Sequence, residues 1–365
     1  MARIDINDCA IGFTRAREEH QHLPIIDNTR LTAVNTCPRW AGIRYGHNKI
    51  MGAATGRALA LEVGTACHHS FAAIRLLQLA QGAYWDHVAH HAKRLFPKAD
   101  AHTELVTMLH DHSMSTDDKL RAVALFGLEY SEYYDDPSDK KRTLVNMEEA
   151  IVKYANRYNP NERRVWVKDA DDPTSLVGIE IPFDYILEIK SLSHVFEDRR
   201  LRFVGRIDGL SINSEGKAIL EENKTTSQIN ASWLSNWQMS HQITGYMIVA
   251  SAMMMKSVRE GEVIGLAIPQ PKSSPYDGLV REYVTRNESQ VKQWLSWFIS
   301  SADDFDTARQ APLDAATYTH SCTRYFRECA CMPICTAERE DQEHIFNNEM
   351  TVHEWNPLAE EGDAP

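Results

Sequence analysis

The segment from Phe203 to Thr226, FVGRIDGLSINSEGKAILEENKTT, constrains the fold more than any other part of the chain. Two apolar runs, Phe203 to Leu210 and Ala218 to Leu220, flank the residues Asn-Ser-Glu-Gly at 213–216. That composition is typical of a tight turn between two antiparallel strands. The segment therefore predicts a β-hairpin.

Three charged residues lie near the ends of the predicted strands. Asp208 is near the end of the first strand, and Glu222 and Lys224 end the second. Because side chains alternate between the faces of a strand, Glu222 and Lys224 point the same way. Carboxylate oxygens suit Mg²⁺ or Mn²⁺, and a neighbouring lysine orients water or stabilises charge on a phosphate. The pattern indicates an active site; the alternative is an exposed hairpin with ordinary charges.

Length and composition fit an ordinary globular protein. The 365 residues suffice for one large domain or two smaller ones, and 43% are apolar and 25% charged. No apolar run approaches the ~20 residues that span a bilayer. The first residues, MARIDINDCAIGF, lack the basic-then-apolar layout of a signal peptide. We therefore predict a cytoplasmic protein.

The net charge of −12 argues against a protein that coats nucleic acid nonspecifically, since such proteins are usually basic. It is compatible with an enzyme that has a local basic groove, because the acidic residues are unevenly placed. Many lie in Glu148-Glu149, in 169–172 and in the tail at 360–363. The tail is predicted to be disordered.

Four of the seven cysteines fall close together near the C-terminus: Cys322, Cys329, Cys331 and Cys335. In a chain without a secretory signal, such clustering predicts a metal or iron–sulfur site rather than disulfides. The spacing C-x6-C-x-C-x3-C differs from that of the common zinc modules. It therefore favours an iron–sulfur cluster, with a zinc site and free thiols as the alternatives.

Cys37 precedes Pro38, a residue that suits the first turn of a helix. Asn35 or Thr36 is the predicted cap of that helix. Backbone N–H groups at the start of a helix favour a thiolate, so Cys37 is a further candidate ligand for a metal or cluster. The alternative is a buried structural cysteine.

Residues 58–80 have the apolar spacing of a helix. On this helix His68 either projects into a cleft or has a purely structural role. Residues 82–135 predict further helices, inserted into the main body. His87 and His91 are four residues apart, but no acidic ligand pattern follows them. We predict that they lie on a solvated face without a metal.

From residue 144 onwards the pattern changes to strands. The predicted strands are 148–154, 164–167, 176–183, 185–189, the two of the hairpin, 263–269 and 279–284. A helix is predicted at 233–253, with Gln242 and Tyr246 on one face because they are four residues apart. Another is predicted after Asn287, a residue that can cap it.

The order of these motifs along residues 31–336 is that of a known family. The motifs are Cys37, His68, the run Gly205 to Asp208, the run Glu222 to Lys224, Gln242 with Tyr246, and the terminal cysteines. This order resembles the PD-(D/E)XK nuclease superfamily. More narrowly, it is similar to RecB/AddB-like exonucleases with a four-cysteine [4Fe–4S] cluster, which include stand-alone phage members.

The resemblance implies an α/β fold of the restriction-endonuclease type, with a central mixed β-sheet flanked by helices. Residues 31–336 would form the nuclease domain, with a helical insertion at 82–135 and the cysteine segment at 322–335. Residues 1–30 would be an N-terminal arm, and 337–365 a C-terminal extension ending in the acidic tail. The cluster would join the N- and C-terminal parts.

The resemblance also implies roles for individual residues. The metal ligands would be His68, Asp208, Glu222 and the carbonyl of Asn223. Lys224 corresponds to the catalytic lysine, Gln242 and Tyr246 to residues that support the site and the DNA end, and Glu180 to an auxiliary acid. The cluster ligands would be Cys37, Cys322, Cys329 and Cys335. Cys331 competes with Cys329 for one place, and the spacing Cys329-x5-Cys335 favours Cys329.

These roles imply a DNA exonuclease that uses Mg²⁺ or Mn²⁺ in recombination, repair or phage DNA processing. Its substrate would be DNA that is single-stranded or has free ends. The sequence contains no P-loop motif, so a helicase or recombination partner would be a separate chain. The alternatives are a non-catalytic DNA-binding or assembly subunit on the same fold, and a zinc-stabilised interaction protein.

Overall fold

The computed structural model describes residues 9–51, 59–98, 100–157, 163–192, 198–272, 277–324 and 327–358. The acidic tail at 360–363 lies outside these residues. The chain divides into two compact units. The first consists of Met1–Gly56, Pro182–Arg206 and Glu288–Pro365, and the second of Arg57–Ile181 and Ile207–Asn287.

The strands within the described residues are β1 (Cys9–Arg15), β2 (Ile25–Ile26), β3 (Lys49–Met51), β4 (Arg163–Val165), β5 (Ile179–Ser191), β6 (Arg199–Asn213), β7 (Ala218–Thr226), β8 (Glu260–Ala267), β9 (Leu279–Thr285), β10 (Thr323–Arg324), β11 (Arg327–Glu328) and β12 (Met350–Val352). The helices are α1 (Asn28–Thr36), α2 (Pro38–Ala41), α3 (Leu59–Gln81), α4 (Trp85–Leu95), α5 (Ala101–His110), α6 (Thr116–Tyr130), α7 (Leu144–Arg157), α8 (Ala231–Ser235), α9 (His241–Met254), α10 (Glu288–Gln310), α11 (Met332–Thr336) and α12 (Arg339–His344).

The main sheet is mixed, as predicted. Its strand order is β1-β5-β6-β7-β8-β9, and β2 and β4 also pair with β6. β7 runs parallel to β8, whereas β6–β7 and β8–β9 are antiparallel. With its flanking helices, this sheet matches the restriction-endonuclease-like fold expected from the sequence.

The predicted hairpin forms from β6 and β7. Gly216 has φ of 76° in its turn, a left-handed conformation that glycine adopts without strain. The register pairs Gly209 with Glu221. The next residues along the two strands are Asp208 and Glu222, so the hairpin places two of the predicted metal ligands on adjacent strands.

Helices α3, α4, α6 and α7 form most of the core of the second unit. Their apolar side chains are buried together with residues of the sheet, including Val177, Ile179, Ile264 and Leu266. In the first unit, Phe203 of β6 packs against Trp294 and Phe298 of α10, with ring centroids 5.8 and 5.1 Å apart. The predicted helix after Asn287 is therefore confirmed, and its apolar face is buried.

The predicted strand at 148–154 is wrong, because these residues lie inside helix α7. Met147, Ile151 and Tyr154 are buried, at the spacing of three and four residues that defines one helix face. The predicted strands at 176–183 and 185–189 merge into one strand, β5, which begins only at Ile179. Pro182 does not interrupt it, since the fixed φ of proline is compatible with an extended backbone.

The predicted helix at 233–253 is two helices, α8 and α9. Asn230 caps α8 by accepting from the N–H of Trp233, and Ser240 caps α9 by accepting from Ile243. Asn35 and Thr36 are not caps, since both lie in the last turn of α1. Cys37 itself is the residue before α2, so its predicted place at a helix start is confirmed.

Among the described residues, the longest helices are not apolar enough to cross a bilayer.

Replacing Gly42 by Ala should destabilise the protein by about 1–3 kcal/mol, because the new Cβ would lie 2.3 Å from the carbonyl oxygen of Ala308. The backbone must move to relieve such a contact. Gly12→Ala is the matched control, since nothing lies within 4 Å of its added Cβ. Urea unfolding should place this control within about 0.5 kcal/mol of the wild type. Equal stability of the two variants would contradict the packing of α10 against residue 42.

Candidate active site

Three predicted site residues meet in the second unit: His68 from α3, Glu180 from β5 and Asp208 from β6. Their ligand atoms all lie within 4.8 Å of one another. The His68 Nδ1 is 3.1 Å from Glu180 Oε1 and 3.9 Å from Asp208 Oδ1. A helix and two strands thus bring one nitrogen and two carboxylates to one point.

Asp208 is held by the neighbouring strand. Its Oδ2 accepts a hydrogen bond of 2.7 Å from the backbone N–H of Asn223. The other oxygen, Oδ1, faces His68. The carboxylate is buried, so this contact fixes its orientation in a place where water does not compete strongly.

Glu222 lies beside this group and is almost completely buried. Its Oε1 accepts from Lys224 Nζ at 2.6 Å and from Gln242 Nε2 at 2.8 Å. Gln242 is also 3.2 Å from the hydroxyl of Tyr246. Glu222 Oε2 is buried without a hydrogen-bond partner among the described residues. One oxygen is therefore anchored and the other is left with its acceptor capacity unused.

Burial and close charges change the acidity of these groups. Burial lowers the pKa of His68, but the Asp208 and Glu180 carboxylates outweigh this effect and raise the pKa to about 9. Burial and the charge of Asp208 raise the pKa of Glu222 to about 7. Burial also raises the pKa of Asp208. Burial lowers the pKa of Lys224, but Glu222 and Asp208 raise it more, so the net shift is upward.

Glu180 has a strained backbone. Its φ is 43°, in the left-handed region that residues other than glycine seldom adopt. Arg94 of α4 holds this segment, since its guanidinium donates to the carbonyls of Glu180 at 3.0 Å and Ile179 at 2.7 Å. Arg94 also donates to His91 Nδ1 at 3.1 Å. The strain at Glu180 is therefore balanced by hydrogen bonds from α4.

His87 and His91 are not on a solvated face, and that expectation was wrong. Both are buried. The Nε2 of His87 donates to the carbonyl of Asp169, and that of His91 to the carbonyl of Ser175, each at 2.9 Å. They hold the turn between residues 169 and 175 against α4.

A second group of predicted residues meets in the first unit. One pocket is lined by the predicted cluster ligands and their neighbours: Cys37, Trp40, Thr317, Tyr318, Ser321, Cys322, Cys329, Cys331, Met332 and Cys335. Cys331 is buried, and the other four cysteines are partly exposed. Hydrogen bonds from the thiol and the N–H of Cys331 lower the pKa of Cys329 to about 6.

The remaining cysteines lie elsewhere. Cys9 is in β1, and Cys67 is buried in α3, where burial raises its pKa to about 12. Five of the seven cysteines thus share one pocket, and the fully buried thiol of Cys67 stays protonated.

Three buried or partly buried charged residues around the site were not predicted from the sequence: Arg75, Arg94 and Glu221. His87, His91 and Arg94 recur on one face of α4 at intervals of four and three residues. That polar stripe was the available signal for a buried contact face. Arg75 sits within the apolar pattern of α3, where a lone charge gives no indication of its partner.

The family described as the PD-(D/E)XK nuclease superfamily matches residues 28–336, and the chain belongs to that superfamily. Membership of this superfamily implies a metal-dependent nuclease with DNA as its class of substrate, and Mg²⁺ or Mn²⁺ are the metals that such nucleases typically use. No curated protein sequence matches the chain.

Lowering the pH should destabilise the wild type more than His91→Gln. Burial and Arg94 lower the pKa of His91 from 6.5 to about 4. The folded protein therefore keeps His91 neutral, and the stability it provides is present above pH 6.5 and lost as pH falls towards 4. The loss should reach about 3 kcal/mol by urea unfolding. Gln preserves the hydrogen bonds without titrating, and the exposed His90→Gln is the control that should retain the wild-type slope.

Proposed function

We propose that the protein is a metal-dependent DNA exonuclease of the RecB/AddB-like type, with a structural [4Fe–4S] cluster. The observation that carries the nuclease proposal is the convergence of His68, Glu180 and Asp208 within 4.8 Å, beside the Glu222–Lys224 pair. Superfamily membership supplies the reaction class, phosphodiester hydrolysis. The resemblance to RecB/AddB-like enzymes supports exonuclease action in recombination, repair or phage DNA processing.

The donor set fits a hard divalent cation. Carboxylate oxygens and one imidazole nitrogen suit Mg²⁺ and, better, Mn²⁺. Glu222 Oε2, buried without a partner among the described residues, is an acceptor that a cation would satisfy. We assign the ion to His68, Asp208, Glu222 and the carbonyl of Asn223, with Glu180 as an auxiliary acid.

When bound, such an ion supplies an activated water and stabilises negative charge on the phosphate. The chain's own residues prepare the place where this happens. Asn223 and Gln242 fix the orientations of Asp208 and Glu222 through hydrogen bonds of 2.7 and 2.8 Å. Tyr246 lies next to Gln242 on α9 and supports it.

We assign Lys224 the role of a fixed positive charge beside the metal-binding carboxylates. Its raised pKa keeps the ammonium group protonated at neutral pH. A protonated lysine does not accept a proton from water, so we assign it to orienting the water and to stabilising charge on the phosphate rather than to acting as a base. Its ion pair with Glu222 holds it in that position.

The cysteine pocket fits a cluster bound by thiolates. Four cysteines with access to the pocket, and the lowered pKa of Cys329, favour metal–sulfur bonds at neutral pH. We assign the ligands to Cys37, Cys322, Cys329 and Cys335, with Cys331 donating hydrogen bonds to Cys329. Ligands so far apart in sequence close a loop of nearly the whole chain, which restricts unfolding.

We further propose that the enzyme degrades DNA from free or single-stranded ends. We also propose that a helicase or recombination protein is its partner, since the given residues contain no P-loop motif. We propose that the protein acts in the cytoplasm.

Lys224→Ala should reduce DNA cleavage at least about a hundredfold, because it removes the positive charge beside the metal-binding carboxylates. The assay uses end-labelled single- and double-stranded DNA with Mn²⁺ or Mg²⁺ and anaerobically purified protein. The position of the label gives the polarity of digestion.

Lys217→Ala is the matched control, since Lys217 is an exposed lysine that pairs with Glu215 and Glu260 near the hairpin turn. It should cleave as the wild type does. Wild-type protein that binds Mn²⁺ and DNA without cleaving would favour the non-catalytic DNA-binding or assembly subunit.

Cys37→Ala should remove the bound iron and acid-labile sulfide and lower the thermal unfolding midpoint, because it deletes one of four ligands. Cys9→Ser, a cysteine of β1 that is outside the pocket, is the control and should retain both. Iron and sulfide are measured on anaerobically purified protein. Zinc in place of iron would overturn the cluster and favour a zinc-stabilised site.

A further inference from the structure

We propose that Arg75 is a positioning residue that aligns the three strand segments carrying the acidic residues of the candidate active site. The inference rests on the proposed function for its effect on catalysis, but its structural part stands on contacts within the second unit. Arg75 touches no proposed metal ligand itself. It acts on residues that are one or two positions away from Glu180, Asp208 and Glu222.

Arg75 lies on α3, seven residues or about two turns after His68. Its side chain is about 1% exposed, which is unusual for an arginine. The guanidinium forms an ion pair with the carboxylate of Glu221, which is also buried. The helix that supplies the candidate nitrogen ligand thus also inserts a buried cation under the sheet.

Three segments meet at this one guanidinium. Glu221 directly precedes Glu222 on β7. Arg75 Nη1 lies 3.5 Å from the carbonyl oxygen of Gly178, two residues before Glu180. These contacts connect two of the three acidic segments to α3.

The third segment is β6, at Gly209, the residue directly after Asp208. A Cβ added to Gly209 would lie 2.4 Å from Arg75 Cζ and Nη2 and 2.6 Å from Nη1. The guanidinium therefore packs flat against the backbone of Gly209, at the position that any side chain there would occupy. Gly209 is paired with Glu221 across the hairpin, so Arg75 contacts both strands at one register position.

The pair is part of a longer buried network. Arg163 Nη1 lies 3.6 Å from Glu221 Oε1 and 2.6 Å from Glu262 Oε2. Glu221 and Glu262 are paired in register on β7 and β8. The network therefore connects α3, β4, β6, β7 and β8 through charged groups whose geometry is far more directional than apolar packing.

Stability alone does not account for such a network. Burying two charges costs desolvation that their attraction only partly offsets, and apolar residues of similar volume are often at least as stable in their place. A buried guanidinium instead fixes the distance and the orientation between the segments that it contacts. Here those segments carry Glu180, Asp208 and Glu222, whose mutual placement decides whether one ion contacts them all.

The test is the double variant Arg75→Met/Glu221→Leu, which replaces the ion pair by apolar side chains and leaves the Arg163–Glu262 pair in place. It should stay folded, with a thermal midpoint near that of the wild type. Its affinity for Mn²⁺, measured by calorimetry, should fall about ten- to a hundredfold, the usual effect of losing a group that orients metal ligands. DNA cleavage at saturating Mn²⁺ should recover only in part.

A second measurement does not depend on metal or catalysis. The N–H of Asn223 donates to Asp208, so its hydrogen exchange reports the alignment of β6 and β7 in the metal-free protein. Exchange should be at least about tenfold faster in the double variant. The control is Arg199→Met/Asp303→Leu, an ion pair of the first unit, which should change neither Mn²⁺ affinity nor this exchange rate.

Gly209→Ala provides an independent variant. In the wild type it should displace the guanidinium and weaken Mn²⁺ binding as the double variant does. In an Arg75→Ala background the same substitution should have little further effect, because the clashing atoms are gone.

A folded double variant with wild-type Mn²⁺ affinity and wild-type exchange at Asn223 would overturn the positioning role. Wild-type protein that neither binds Mn²⁺ nor cleaves DNA would instead overturn the proposed function. In that case faster exchange at Asn223 in the double variant still supports the alignment by Arg75, and unchanged exchange refutes it.

Discussion

The structure of the second unit depends on how the negative charges of its buried carboxylates are balanced. Asp208, Glu221, Glu222 and Glu262 are all buried, although isolated buried carboxylates are strongly disfavoured. The two faces of the hairpin solve this in different ways. On one face Glu221 has a permanent cation, Arg75, so its charge is balanced without a ligand. On the other face Glu222 has Lys224 for one oxygen and nothing described for the second. The first face fixes the strands, and the second leaves Glu222 Oε2 buried without a described partner, at the place proposed for the divalent ion.

The strained backbone at Glu180 is likewise held by side chains that are not proposed metal ligands. A left-handed glutamate costs of order 1–3 kcal/mol, and it persists because Arg94 donates to the carbonyls of Glu180 and Ile179 and is itself held by His91. The lowered pKa of His91 is consistent with this arrangement, since a neutral imidazole donates from Nε2 to Ser175 and accepts at Nδ1 from Arg94. A protonated ring would lose that acceptor. Helix α4 therefore holds the segment that presents Glu180.

Local pattern predicted the hairpin, the mixed sheet and the residues that meet at the site. Asp208, Glu222 and Lys224 were found because alternation along two short strands fixes their faces. The prediction of a strand at 148–154 is wrong because Ile151 and Tyr154 fit an apolar helix face as well as a strand. Burial against α3 and α6 stabilises the helix. Arg75 and Glu221 are 146 residues apart, and no local periodicity reveals such a pair. His91 was misplaced for the same reason, since its partner at Ser175 is distant in sequence.

The electrostatics of the site also bear on how an acidic chain meets a polyanion. With a net charge of −12, the chain as a whole does not attract DNA, so favourable charge has to be local. Glu180, Asp208 and Glu222, when ionised, outnumber His68 and Lys224 when both are protonated, which leaves the metal-free group without excess positive charge. A divalent ion raises the net charge of this group from −1 to zero when it displaces the proton of His68, and to +1 when it does not. The proposed ion would therefore remove the net negative charge that opposes a phosphate at this position, and through this charge it would couple substrate binding to metal binding.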